Sequence, residues 1–368
     1  MTAFAIAMMT SDNMFHDFSV DRMVTNISYL LQVPSYLYSS QDSGMWANSS
    51  FSLLTSLFTV KLIERQFGQK LLAIPNDRSS HSQPTPTCGG IGFILVFLFT
   101  SLVYAYQTST LRETTCWWLI LAPLVIVGVC DDIWNLPSTW RYLVQLFTAT
   151  IAVFYFDPFP QPWLDAYGNF GHGIAMILTI IGMTAIINFY NFMDGLDGLV
   201  GSVAALQIAF IAFYTHQPML WLLVAALCGF VYWNWAPAKI FMGDAGSTFL
   251  GAIISMSLLN QHQSSIASWS TLAITMPIVA DATYTIIRRL INRENIFRAH
   301  RSHLYQRLQQ SGLPHSTVAG IYLMMAAAIA ILVANYSYAG AIAGAIGSIS
   351  SIFIVEVYFQ TALKSQDI

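Results

Sequence analysis

Apolar residues in this chain fall in long unbroken runs that neither alternate nor confine themselves to one helical stripe. A membrane-crossing helix needs roughly 20 such residues, whereas a barrel strand needs about 10 in strict alternation. The pattern therefore predicts helices, near residues 48–63, 89–106, 117–130, 141–156, 172–190, 199–214, 218–235, 246–260, 268–287, 317–335 and 339–360. The expected architecture is an all-α polytopic integral membrane protein with about eleven transmembrane helices. The first segment is the least regular, because Lys61, Glu64 and Arg65 crowd its end and Lys61 would have to snorkel.

Composition agrees with the pattern. Of 368 residues 55% are hydrophobic and 9% charged, against about 25% charged in a soluble domain. The lipid bilayer must be the main solvent. A net charge of −3 offers no basic excess for nucleic acid. Cys88, Cys116, Cys130 and Cys228 show no paired spacing, which argues against a zinc site or a disulfide framework.

Cytoplasmic loops collect Lys and Arg. If the first span runs inward, Lys61, Arg65, Lys70, Arg78, Arg141, Lys239, Arg288, Arg289, Arg293, Arg298, Arg301, Arg307 and Lys364 share one side. Only Arg22 and Arg112 fall on the other, so the basic side is read as the cytoplasm. Residues 1–47 carry Asp12, Asp17, Asp21 and Asp42 without a basic region before a long apolar one. They are expected to form a disordered or surface-lying extension rather than a signal peptide, with Met45 an alternative translation start. Residues 48–360 are expected to form the transmembrane domain and 361–368 a cytoplasmic tail.

Polar groups beside membrane spans are functional candidates, and here they concentrate in loops assigned to one face. These hold Pro75 to His81, Pro84 to Gly90, Asp131-Asp132, Asn188 to Gly198, Asn234 to Ser247, and Arg288 to Arg307. Asp131, Asp132, Asp194, Asp197 and Asp244 would repel one another unless a cation lay between them. Mg²⁺ suits such oxygen donors and leaves coordination positions for a substrate phosphate, with Mn²⁺ as the alternative. The flanking glycines allow close approach of backbone to phosphate, and the arginine loop offers phosphate donors. Together these features describe a diphosphate site. Taken singly each has a plainer reading: a solvated helix end for Asp131-Asp132, a turn for Asp194 to Gly198, and an orientation signal for the arginines. Asp281, inside a span, is expected to face inward and pair with a polar group. Gly340 and Gly344 are spaced for a close helix contact, within one chain or in a homodimer.

As an ordered set, PNDRSSH with PTP and Gly-Gly, the Asp pair, NFYNFMDGLDG, PAKIFMGDAGS and the closing His/Arg loop resemble the polyprenyl-phosphate N-acetylhexosamine-1-phosphate transferases. These bacterial inner-membrane enzymes act on the cytoplasmic side. The resemblance implies that undecaprenyl phosphate attacks a UDP-N-acetylhexosamine, releasing UMP and leaving a lipid diphosphate sugar for envelope polysaccharide synthesis. On matching positions it implies a metal at Asp244 with Asn191, and phosphate or lipid-phosphate work at Asp131 and Asp132. It further implies nucleotide-sugar contacts at Asn188, Asp194, Asp197, Phe241, Arg301 and His303. Arg141, at the mouth of the fourth span, is assigned a lipid-phosphate contact, with a snorkelling anchor as the alternative. Two departures stand out. Thr87-Cys88 replaces the Arg-Gly common after PTP, and His303-Leu304-Tyr305-Gln306-Arg307 replaces His-Leu-His-His-Arg. The second is similar to the O-antigen initiating subgroup, which implies a UDP-N-acetyl-deoxyhexosamine. The rival readings are a magnesium-dependent intramembrane prenyltransferase and a secondary transporter.

Overall fold

The computed structural model describes residues 40–68, 71–75, 83–259, 264–295 and 300–366. The PNDRSSH segment lies outside them almost entirely, as do residues 1–39. The chain divides into two compact units, Met1–Trp46 and Ala47–Ile368, and the site described below lies in the second.

Every segment expected to be helical overlaps a helix among the described residues. The helices are α1 (Ser40–Phe67), α2 (Gly89–Thr108), α3 (Leu111–Trp134), α4 (Ser138–Phe156), α5 (Gly168–Met193), α6 (Leu199–Tyr214), α7 (Leu220–Asn234) and α8 (Gly243–Leu259), followed by α9 (Ser265–Leu272), α10 (Met276–Ile291), α11 (Leu304–Gln310) and α12 (His315–Gln366). A two-stranded antiparallel ribbon pairs β1 (Leu72–Ala73) with β2 (Thr85–Pro86). Among the described residues five helical stretches are long and apolar enough to cross a membrane, and α6, α7 and α8 are apolar but shorter. The expectation of about eleven spans thus exceeds the five that meet the length requirement. Large apolar side chains such as Phe58, Phe154, Phe170 and Phe353 point outward, as the bilayer as solvent requires. This is a multi-pass membrane protein.

The helix α8 is the centre of the bundle, buried from Ala245 to Leu258 and packed on α2, α3 and α5. Small residues set those approaches. A Cβ at Gly128 of α3 would lie 2.5 Å from the Ala245 Cα, and one at Gly90 of α2 would lie 2.6 Å from the Gly246 Cα. The start of α8 therefore sits directly against the end of α3 and the start of α2. The long C-terminal helix breaks at Ser337, where φ is 48°, between the two segments expected there. Gly340 and Gly344 face Leu332, Val333 and Ile329 of the same chain, which is the in-chain alternative for their spacing.

Candidate functional site

Hydrogen bonds bring the polar motifs to one end of the bundle. Phe241 N donates to the Pro86 carbonyl at 2.7 Å, and Gly89 N and Gly90 N donate to the Phe241 and Met242 carbonyls at 2.9 and 2.8 Å. The segment after Pro86 is thereby zipped onto the segment before α8. Cys88 adopts φ 144°, a backbone region that favours glycine. Burial, then the Asp132 charge, pushes the Cys88 thiol up to about 11, so it stays protonated near neutrality. Asn234 ties two further motifs together: its carbonyl oxygen accepts from Gly198 N at 3.1 Å and its amide donates to the Ile240 carbonyl at 2.9 Å.

The aspartate pair ends α3 and splits in function. Asp132 accepts from Asp244 N at 2.7 Å and from Ala245 N at 3.3 Å, so its carboxylate caps the first turn of α8, where unpartnered N–H groups favour negative charge. Gly243 makes this possible. Its φ is +78° and a Cβ there would lie 2.7 Å from an Asp132 oxygen. Asp131 meets Arg141 instead. The Arg141 guanidinium, from the first turn of α4, donates to Asp131 at 2.8 Å and to Asp244 at 2.6 Å. Arg141 was expected at a lipid phosphate; in the structure it bridges two acids that would otherwise repel.

A cavity of about 250 Å³ opens beside this bridge, lined by Asn191, Asp194, Asp197, Phe241, Asp244 and Gln306 among others. Asn191, Asp194, Asp197, Phe241 and Asp244 are thus brought together as the sequence suggested. Asn191 donates from its amide nitrogen to Ser247 Oγ at 3.1 Å, which leaves its carbonyl oxygen as the end suited to a cation. Asp197 also has a scaffolding role that the sequence did not reveal, accepting from Ala238 N at 3.0 Å and lying 3.2 Å from His315 Nδ1. Burial, then the charges of Asp244, Asp132 and Asp197, pushes Asp194 up to about 8.

The remaining sequence candidates lie elsewhere. Asn188 donates to Gln145 at 2.6 Å and to the Thr184 carbonyl at 2.8 Å, one helical turn back from Asn191, and does not line the cavity. His303 is buried and its Nδ1 is 3.7 Å from Asp281. Its ring stacks on His300, whose imidazole is pushed down to about 4 by burial and then by His303 and Arg289, so His300 is neutral near pH 7. Arg301 is half-buried outside the cavity lining, and its carbonyl accepts from Gln310. Among the described residues, three arginines of this loop are engaged within the protein rather than open to phosphate. Arg288 donates to the Ser302 carbonyl, Arg289 pairs with Glu294 and donates to the Asn295 carbonyl, and Arg307 pairs with Glu356. Gln306, marked in the sequence only as part of the variant closing loop, borders the cavity, and its Oε1 accepts from His303 N at 3.3 Å. Nothing in its spacing distinguishes it from a surface glutamine.

The donor set fits a hard divalent cation in kind: carboxylates and an amide carbonyl around a shared cavity, without thiols. Among the described residues no three acidic, His or Cys side chains are already arranged as ligands. Asp131 and Asp244 are instead drawn together on Arg141, and Asp132 is committed to the α8 backbone.

Residues 114–261 match glycosyl transferase family 4, a stretch that contains both members of the aspartate pair, Arg141, the Asn188 to Asp197 acids and Asp244. The chain is 31% identical over 292 residues to a probable undecaprenyl-phosphate N-acetylglucosaminyl 1-phosphate transferase of Bacillus subtilis, covering 74% of this chain and 80% of the relative. It is 25% identical over 266 residues to an undecaprenyl-phosphate α-N-acetylglucosaminyl 1-phosphate transferase of Thermotoga maritima, covering 72% and 81%. A phospho-N-acetylmuramoyl-pentapeptide-transferase of Listeria monocytogenes is 27% identical over 255 residues, covering 63% and 77%. The chain therefore belongs to glycosyl transferase family 4 and, within it, to the polyprenyl-phosphate N-acetylhexosamine-1-phosphate transferases.

Proposed function

We propose that this protein transfers an N-acetylhexosamine 1-phosphate from its UDP derivative to undecaprenyl phosphate, releasing UMP. The observation that carries the reading is the Arg141 guanidinium bridging Asp131 and Asp244 at the edge of the acid-lined cavity. Phosphoryl transfer asks a protein for alignment and charge neutralisation more than for covalent help. Arg141 sits where an incoming phosphate monoester would compete with Asp131 for its N–H donors. Asp131 then serves to keep that guanidinium in place before the lipid arrives. Such a monoester, with a second pKa of about 6, is mostly dianionic near neutrality, so general-base help from Asp131 is optional.

Asp244 and Asn191 would hold Mg²⁺ or Mn²⁺, which supplies charge neutralisation at the diphosphate. Asp132 fixes the Asp244 backbone through the α8 cap. Phe241, Asp194 and Asp197, which border the cavity, would contact the uridine nucleotide. The distribution of Lys and Arg supports a catalytic end at the cytoplasmic face of a bacterial inner membrane. The Tyr305-Gln306 variant of the closing loop favours a UDP-N-acetyl-deoxyhexosamine donor and lipopolysaccharide O-antigen initiation.

The test is purified protein in lipid nanodiscs with undecaprenyl phosphate and a panel of UDP-N-acetylhexosamines, with and without Mg²⁺ or Mn²⁺. Cation-dependent UMP release with one or more donors is expected. Release of inorganic diphosphate from a prenyl diphosphate, with no UMP from any donor, would replace this reading with a prenyltransferase.

A further inference from the structure

Asp281 of α10 is 1% exposed, and a buried carboxylate is tolerated only when its lone pairs are satisfied. It accepts from Leu304 N at 2.9 Å and Tyr305 N at 3.1 Å, the first two residues of α11. Tyr322 Oη at 2.6 Å and Thr285 Oγ1 at 3.1 Å also donate to it, and His303 Nδ1 lies 3.7 Å away. The carboxylate therefore fixes where α11 begins. From that first turn the fully buried Tyr305 crosses to α5 and donates its hydroxyl to the Phe192 carbonyl at 3.0 Å. Phe192 lies in the last turn of α5, where carbonyls lack helical partners, between Asn191 and Asp194. The contact is close enough that a Cβ at Gly195 would lie 2.3 Å from the Tyr305 hydroxyl. The next residue of α11, Gln306, borders the cavity.

We propose that Asp281 is a positioning residue for the transfer reaction. It acts through the α11 backbone and the Tyr305 hydroxyl to hold the Asn191–Asp194 end of α5, and Gln306 opposite it, in register around the cavity. The inference rests on the transferase reading above. A displacement of about 1 Å at reacting groups costs on the order of 100-fold in rate, so loss of this brace is read as a fall in kcat rather than a weaker KM.

The experiment compares Asp281→Asn, Tyr305→Phe, the double variant, and Thr285→Val, which removes a donor to Asp281 that does not lead to α11. Three quantities are measured: kcat and KM for UMP release, Mn²⁺ affinity by electron paramagnetic resonance in the absence of substrate, and the thermal midpoint. Asp281→Asn and Tyr305→Phe should each lower kcat by about 10-fold or more and weaken Mn²⁺ binding, with KM changed by about threefold or less. The double variant should be no worse than the poorer single, because both act along one chain of contacts. Thr285→Val should lower the midpoint while keeping kcat. The proposal is overturned if Tyr305→Phe keeps wild-type kcat and Mn²⁺ affinity, if the single effects multiply in the double variant, or if Thr285→Val loses as much kcat as Tyr305→Phe. Should Asp281→Asn fail to accumulate, Tyr305→Phe against Thr285→Val still decides. If wild-type protein releases no UMP, the transferase reading fails on its own, and Mn²⁺ affinity in Tyr305→Phe decides the brace separately.

Discussion

Replacing Asp132 separates a structural cap from a chemical group. Its carboxylate accepts two backbone N–H bonds at the start of α8, at 2.7 Å from Asp244 N and 3.3 Å from Ala245 N. Asp132→Asn keeps one acceptor oxygen for the shorter bond and loses the longer bond and the charge. Caps contribute about 0.5–2 kcal/mol and a charge at a helix N-terminus about 0.3–1 kcal/mol, so the expected loss is about 1–2 kcal/mol. Asp132→Ala leaves both N–H groups unsatisfied and should cost about 2–6 kcal/mol, since each buried orphan donor costs about 1–3 kcal/mol. Activity should follow the same order, because the capped residue is Asp244. The assay is denaturant or thermal unfolding in detergent alongside initial rates of UMP release. If Asp132→Asn abolishes turnover with unchanged stability, the capping argument is wrong and the carboxylate acts on substrate.

Other expectations follow from the same geometry. Asp244→Asn removes the charge at one end of the Arg141 bridge and weakens one expected cation ligand, so the Mg²⁺ or Mn²⁺ concentration for half-maximal rate should rise; an unchanged titration would remove Asp244 as a ligand. Asp194, pushed up to about 8, holds a proton in the folded protein that it gives up when unfolded. The folded state is therefore favoured at low pH and loses stability as pH rises from about 4 through about 8. The slope is bounded by about 1.4 kcal/mol per pH unit and reduced because the carboxyl opens onto the cavity. Asp194→Asn should flatten that slope in cation-free thermal scans, and an unaltered slope would assign it to another group. Gly128→Ala puts a methyl 2.5 Å from the Ala245 Cα and should cost about 1–3 kcal/mol with a loss of activity, whereas neutral behaviour would mean that α3 and α8 can separate.

Much of this architecture was legible in the sequence, for physical reasons that differ from element to element. Bilayer burial forces long apolar runs, so helix positions could be read directly, down to the break at Ser337 between two expected segments. The acids could be read because charge beside a membrane span is expensive and their loops shared one side by cation count. Partnering was not legible. Whether Arg141 meets lipid or Asp131 depends on how α3, α4 and α8 cross, and small residues such as Gly128 and Gly90 set that crossing. The arginines illustrate the same limit, since Arg288, Arg289 and Arg307 satisfy carbonyls and acids of their own region. Asp281 was expected to pair inward and does, but its partners on α11 and α12 lie 23 to 41 residues away, beyond any local pattern.

Donor sugar nucleotide labelled with ³²P at the phosphate nearest the sugar follows the bond that breaks. Incubated with undecaprenyl phosphate and Mg²⁺, the protein should carry the label into the lipid fraction and release unlabelled UMP in equal amount. Label recovered in released UDP, with a sugar on a lipid monophosphate, would mean that the bond to the sugar itself breaks, and the cavity between Asp244 and Asp194 would not be a phosphotransfer site.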